Sequence, residues 1–73
     1  MPIEPHLDRV LRLIRENIAA GTWPPGHKLP THRQLAEEYG VGMTTIRQAV
    51  LLLRTTGELN GHQGVGVFVP DKG

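Results

Sequence analysis

The 73-residue chain contains no cysteine and no serine. The first absence removes disulfides and thiolate metal sites together and leaves the redox compartment open. With serine absent and no other nucleophile standing beside a base and an orienting acid, catalysis is not expected. No apolar run approaches the ~20 residues that span a bilayer, and no signal pattern precedes the first apolar stripe. A soluble protein with a cytoplasmic location and no membrane partner is the expectation. The four histidines, His6, His27, His32 and His62, lack the paired spacing that puts two ligands on one face, so neither a metal nor a cofactor is expected. Net charge is also scarce, at +1. At this length only about 60% of the unfolded surface is buried on folding. That suits three helices and a hairpin in one domain and leaves little room for an enclosed active site.

What is present is concentrated in residues 29–50. Thr31 stands where an N-cap is needed and Gln34 follows at capping-box spacing. Leu35, Ala36 and Tyr39 then make an apolar stripe. Gly40 ends the segment, since a residue without Cβ enters positive φ at little cost. After Val41, a second stripe runs through Ile46, Ala49, Val50 and Leu53 at i, i+3, i+4 and i+7. Two short helices, a glycine between them and small Ala36 at their crossing describe a helix-turn-helix over about 31–56. Between Gly42 and Gly57 the only charges are Arg47 and Arg54, whereas Glu37 and Glu38 lie on the preceding helix. The positive field is therefore local to the second helix.

The flanks complete the outline. Pro5 suits a first helical turn, and Leu7, Val10, Leu11, Ile14 and Ile18 follow at helical period. Asp8, Arg12 and Glu16 are placed for i,i+4 pairs. Gly21 stops this helix, Trp23-Pro24-Pro25-Gly26 makes a rigid turn, and Lys28-Leu29 reads as a short extended segment. Trp23 reads as a core or turn residue, and core is the preferred reading for Leu51 and Leu52. Past a stop at Gly57, Leu59–Asn60 and Val65–Val69 read as strands of a wing over about 57–69, with Gly61, Gly64 and Gly66 in or beside the bend. Pro70-Asp71-Lys72-Gly73 reads as the start of a linker. The predicted fold is mainly α with a small β hairpin: a winged helix-turn-helix of three helices and a two- or three-stranded wing.

In this order and spacing, Gly21, Pro25-Gly26-x-Lys28-Leu29-Pro30, Arg33, Leu35-Ala36, Gly40-Val41, Thr45-Ile46-Arg47-x-Ala49, Leu53, Gly57 and Gly64-x-Gly66-x-Phe68-Val69 resemble a known pattern. It is that of the N-terminal DNA-binding domain of the GntR (gluconate repressor-like) transcription regulators, and the likeness runs from about Ile14 to Val69. The resemblance implies sequence-specific binding of double-stranded DNA by a bacterial regulator, most often a repressor associated with the nucleoid. Its recognition helix enters the major groove and its wing approaches the minor groove. It places Arg33, Gly42, Met43, Thr44, Thr45 and Arg47 at the DNA, with Gln63 and Gly64 at the wing tip. It further implies a homodimer on an inverted-repeat operator, assembled on DNA or through a C-terminal effector domain absent from this sequence. In one branch of the family that domain resembles a pyridoxal-phosphate aminotransferase.

Elementary chemistry supports these assignments. Guanidinium groups bind phosphate or guanine bidentately, hydroxyls suit phosphate oxygens, and helix N-termini favour anions. Each has an ordinary counterpart: a salt bridge from Arg33 to Glu37, local capping by Thr44 and Thr45, a packing role for Met43, solvated charge at Arg47 and Arg54. Three residues depart from the family pattern. Gly42 replaces a Ser or Thr cap, Met43 replaces an Arg able to read guanine, and His32 replaces an acid. A protein-interaction winged helix is the alternative function, and salt-dependent binding of duplex DNA discriminates the two.

Overall fold

The period of Val10 and Ile14 produces helix α1 (Pro5–Ala19) in the computed structural model, which describes residues 5–62 and 64–71. Both side chains are fully buried, and Leu7, Leu11, Leu13 and Ile18 pack partly covered around them. On the polar side Arg12 meets Glu16 at 3.8 Å, an exposed pair that contributes little to stability. The expected Asp8–Arg12 pair is not formed among the described residues. Beyond Ala19 the chain leaves the helix through Gly21, whose φ is 82°, and Trp23 closes one end of the core.

Helix α2 (His32–Tyr39) begins at the predicted cap. Thr31 Oγ1 accepts from the Gln34 N–H at 3.1 Å, and Gln34 Oε1 accepts from the Thr31 N–H at 2.9 Å. It ends at Gly40, in the left-handed region at φ 68°, with the Gly40 N–H donating to the Ala36 carbonyl. Helix α3 (Met43–Thr55) packs against both α1 and α2. Ile46, Ala49, Val50 and Leu53 face Leu35, Ala36 and Tyr39 in one core, which Leu29, Leu59 and Val69 complete. Each large aliphatic group here stabilises the fold by about 1.5–3 kcal/mol through burial. Tyr39 has a polar tether as well. Asn17 donates from Nδ2 to its hydroxyl at 3.1 Å and to the Leu13 carbonyl at 3.0 Å, bracing α1 on α2. Burial raises the Tyr39 pKa above the ordinary phenol value, with the Glu38 charge adding to it.

Strands β1 (Asn60–His62) and β2 (Gly66–Phe68) pair antiparallel in the register Asn60–Phe68, Gly61–Val67, His62–Gly66. The segment before α2 runs beside β2. Lys28 bridges Phe68, the Leu29 N–H donates to the Val67 carbonyl at 2.8 Å, and the Val69 N–H donates to the His27 carbonyl at 2.8 Å. The wing is thus a two-stranded sheet, and the short extended segment at Lys28-Leu29 is tied to its β2 edge by an isolated bridge.

Three local expectations change. The strands differ in extent: the first starts at Asn60, one residue after the expected Leu59, and the second runs Gly66–Phe68 in place of Val65–Val69, so Gly61 and Gly66 are strand residues beside the bend. Leu59 is instead a core plug held at the end of α3, its N–H donating to the Leu53 carbonyl at 3.1 Å. Leu51 and Leu52, read as core, are 60% and 45% exposed. Their positions fall outside the arc of α3 already filled by Ile46, Ala49, Val50 and Leu53, and no further layer covers them among the described residues.

Candidate nucleic-acid interface

The geometry of α3 follows from rotating about 100° per residue. Ile46, Ala49, Val50 and Leu53 claim the inward arc, which leaves Met43, Arg47, Leu51 and Arg54 on one outward stripe within about 80° of each other. All four are exposed. Met43, at 43% exposure, and Thr44 occupy the first turn, with Arg47 one turn further on. Thr45, also expected at the DNA, sits about 160° round the helix from Arg47. It is only 8% exposed, which makes it chiefly a packing residue at the edge of the core.

The start of α3 is left open chemically. Gly42 occupies the N-cap in extended geometry with no side chain to accept from the first-turn N–H groups, and no acid lies in that turn. Its partial positive charge is therefore not offset by a cap side chain or by an acid in its own first turn. The turn from Gly40 is tight: the Val41 N–H donates to the Ala36 carbonyl at 3.0 Å, fixing α2 against the head of α3. Arg33 lies in the first turn of α2 and is exposed. The salt bridge to Glu37 considered for it is not formed, and Arg33, Arg47 and Arg54 all lack an acidic partner among the described residues.

At the wing, Gly64 takes φ 78° at the tip beside Val65, which is 58% exposed. Gln63 lies outside the described residues. The wing's placement is fixed from two sides. The α2-leading segment pairs with β2, and the turn after α3 binds back through the Glu58 N–H to the Leu53 carbonyl at 2.8 Å. Glu58 also accepts from Arg15 Nε at 2.9 Å and Nη2 at 3.0 Å, and from Thr56 Oγ1 at 2.8 Å. These hydrogen bonds, Arg15 first, hold the Glu58 carboxyl below the ordinary glutamate value, and the same pairing raises the Arg15 pKa.

Two cationic side chains rest against the wing where it has no Cβ. The Arg54 guanidinium occupies the space beside Gly61, with Cζ and Nε 2.5 Å from where a Cβ would stand. The Lys28 stem does the same at Gly66, with Cε 2.8 Å from that point. Gly61 and Gly66 lie in adjacent register rows, so they present opposite faces of the hairpin. Arg54 was open in the sequence between a DNA contact and an ordinary solvated charge. The available signal was its seven-residue spacing from Arg47, two helical turns along one face.

An acid-free start of α3, flanked by exposed Arg33, Arg47 and Arg54 with no acidic partner among the described residues, is a surface suited to a polyanion. Comparison with known proteins specifies the family. The model for "Bacterial regulatory proteins, gntR family" matches residues 7–69. The chain belongs to the gntR family.

Among its relatives, the histidine utilization repressor of Pseudomonas putida is 40% identical over 63 residues, covering 86% of this chain and 25% of the relative. The chain thus spans about a quarter of the length of the curated relatives it matches first. A GntR family transcriptional regulator from Listeria monocytogenes superposes with a TM-score of 0.90 at 28% identity, over 99% of this chain and 63% of that one. The DNA-binding domain of AraR, solved in complex with operator ORX1, gives 0.85 at 36% identity, over 92% of this chain and 81% of that one. The gntR-family winged helix thus accounts for every element described above.

Proposed function

We propose that this chain is the sequence-specific double-stranded DNA-binding module of a transcription regulator acting as a repressor in the bacterial cytoplasm. The observation that carries this reading is the outward stripe of α3, where Met43 and Arg47 stand beside Thr44 on an acid-free helix start. Such a helix presents its first turns to base edges in the major groove. The AraR domain of the same fold is one solved on operator DNA.

In this reading Arg47 is the principal reading or anchoring group, Arg33 binds backbone phosphate, and Thr44 and the Gly42 end of the helix take phosphate oxygens. Met43 offers an apolar contact to a thymine methyl group in place of a hydrogen bond. The wing tip around Gln63 and Gly64 enters the minor groove, where glycine lets the backbone come close. Two copies bind an inverted repeat, matching protein and operator symmetry. The outward stripe offers no long apolar seam, so dimerisation is assigned to the DNA or to a C-terminal effector domain, with 31–56 as reading head and 57–69 as wing.

Selection of sites from a randomised duplex library, followed by fluorescence titration of a recovered site against a scrambled one, tests this. A recovered consensus of two inverted half-sites, bound more tightly than the scramble, is expected. No enrichment, with salt-independent retention, would favour the protein-interaction alternative.

A further inference from the structure

We propose that Arg54, seated on Gly61, is a phosphate-binding residue for the DNA strand that passes between α3 and the wing. The proposal rests on the DNA-binding reading above and adds a contact at the opposite end of the recognition helix from Met43.

Four observations carry it. Arg54 lies seven residues beyond Arg47, on nearly the same face and about 10 Å further along the axis. The major groove is about 12 Å wide, so a group at that offset from a base-reading residue stands at the groove's rim, where the phosphates run. Second, Arg54 has no acidic partner among the described residues, whereas the nearby Glu58 is already occupied by Arg15 and Thr56. Third, the guanidinium fills space that exists because residue 61 has no side chain; a Cβ there would fall 2.5 Å from Cζ and 2.8 Å from Nη2. A long, rotamer-rich side chain is thereby held before any ligand arrives, which lowers the ordering cost of binding. Fourth, Arg54 opens on a cleft of about 560 Å³ between helix and wing, lined by His32 and by wing residues Gly61 and Gly64 to Val67. Among the described residues no carboxylate lines it, so an entering anion meets the Arg54 cation without a lining acid.

A phosphate contact weakens binding to every sequence alike and lowers the salt slope, whereas a base contact changes preference. The test is fluorescence anisotropy at several salt concentrations, with one duplex from library selection and one scrambled duplex. It compares the unaltered chain with Arg54→Gln, Arg54→Lys, Gly61→Ala and the Arg54→Gln/Gly61→Ala pair, each checked for fold by circular dichroism. Arg54→Gln is expected to weaken both duplexes by a similar factor, about 3- to 10-fold, and to reduce the log–log salt slope by about 0.9. Arg54→Lys restores the slope. Gly61→Ala weakens binding by displacing the guanidinium and has no further effect once Arg54 is Gln.

Unchanged affinity and slope in Arg54→Gln, or a change confined to one duplex, overturns the proposal and leaves the DNA reading intact. Equal losses from Gly61→Ala in both backgrounds overturn the seat. If the unaltered chain itself binds neither duplex in a salt-dependent way, the DNA reading falls and this contact with it.

Discussion

Where α1 meets the base of the wing, charge is consumed inside the chain. Arg15 is committed to Glu58 through two hydrogen bonds, and Thr56 takes up a further carboxylate lone pair. At the head of α2 and along the outward face of α3 the reverse holds: Arg33, Arg47 and Arg54 are exposed and have no acidic partner among the described residues. A net charge of +1 conceals this division. The paired cation Arg15 ties α1 to the turn that follows α3, and the unpaired ones are available to a polyanion. Composition alone is silent on it, because the two kinds of arginine are chemically identical.

The largest effect that sharpens this contrast lies beneath both regions. Leu53 is fully buried and its carbonyl anchors the turn into the wing through the Glu58 and Leu59 N–H groups. Leu53→Ala should lower unfolding free energy by about 2–5 kcal/mol in urea denaturation. That loss approaches the whole stability of a domain this small, so DNA binding should disappear along with the fold.

Next comes Arg47→Ala, expected to cost about 1–3 kcal/mol of binding with unfolding unchanged, and to relax preference at one operator position. Met43→Arg should move the selected site toward guanine at one position without strengthening all sequences equally. Site selection with both variants checks this; retained wild-type preference in each would shift specificity to the wing or to DNA shape.

A smaller change follows at the head of α2. Thr31→Ala removes one arm of the capping box and should cost about 1 kcal/mol of stability. It should weaken binding only as far as it loosens Arg33.

The smallest effect belongs to the paired side. Glu58 is held below its ordinary pKa by Arg15 and Thr56. Its contribution is complete above the unfolded glutamate value and is lost as pH falls through the lower folded-state value. Thermal denaturation across the acidic range should show that loss in the unaltered chain and a flatter profile in Glu58→Gln. DNA affinity at neutral pH should be unaffected by that substitution.

Legibility in the sequence tracked the range of the interaction. The Thr31–Gln34 box, the Gly40 stop and the two apolar stripes are set by neighbours within a turn or two, and each is found where the residues place it. The helix-turn-helix and the existence of a wing followed from those. Arg15 and Glu58, 43 positions apart, were beyond such rules, as was the Asn17–Tyr39 tether across 22. Leu51 and Leu52 misled because hydrophobicity reports a preference for burial, while exposure is decided by whether another layer exists to cover the arc. Thr45 illustrates the same limit within the candidate site. Its residue type suits phosphate, but its angular position on α3 turns it toward the core. Gly61 gave a bend signal, and its use as a seat for Arg54 depends on a helix meeting a strand.

The salt dependence of duplex DNA affinity, measured for the unaltered chain, Arg47→Ala and Arg15→Ala, tests the division between the two regions most directly. With ~3–5 phosphate contacts, the log–log slope of the unaltered chain should lie near −3 to −4. Arg47→Ala should lower its magnitude by about 1, and Arg15→Ala should leave it in place while the fold persists. A slope indistinguishable from zero, or an equal loss from both substitutions in folded protein, would contradict the account.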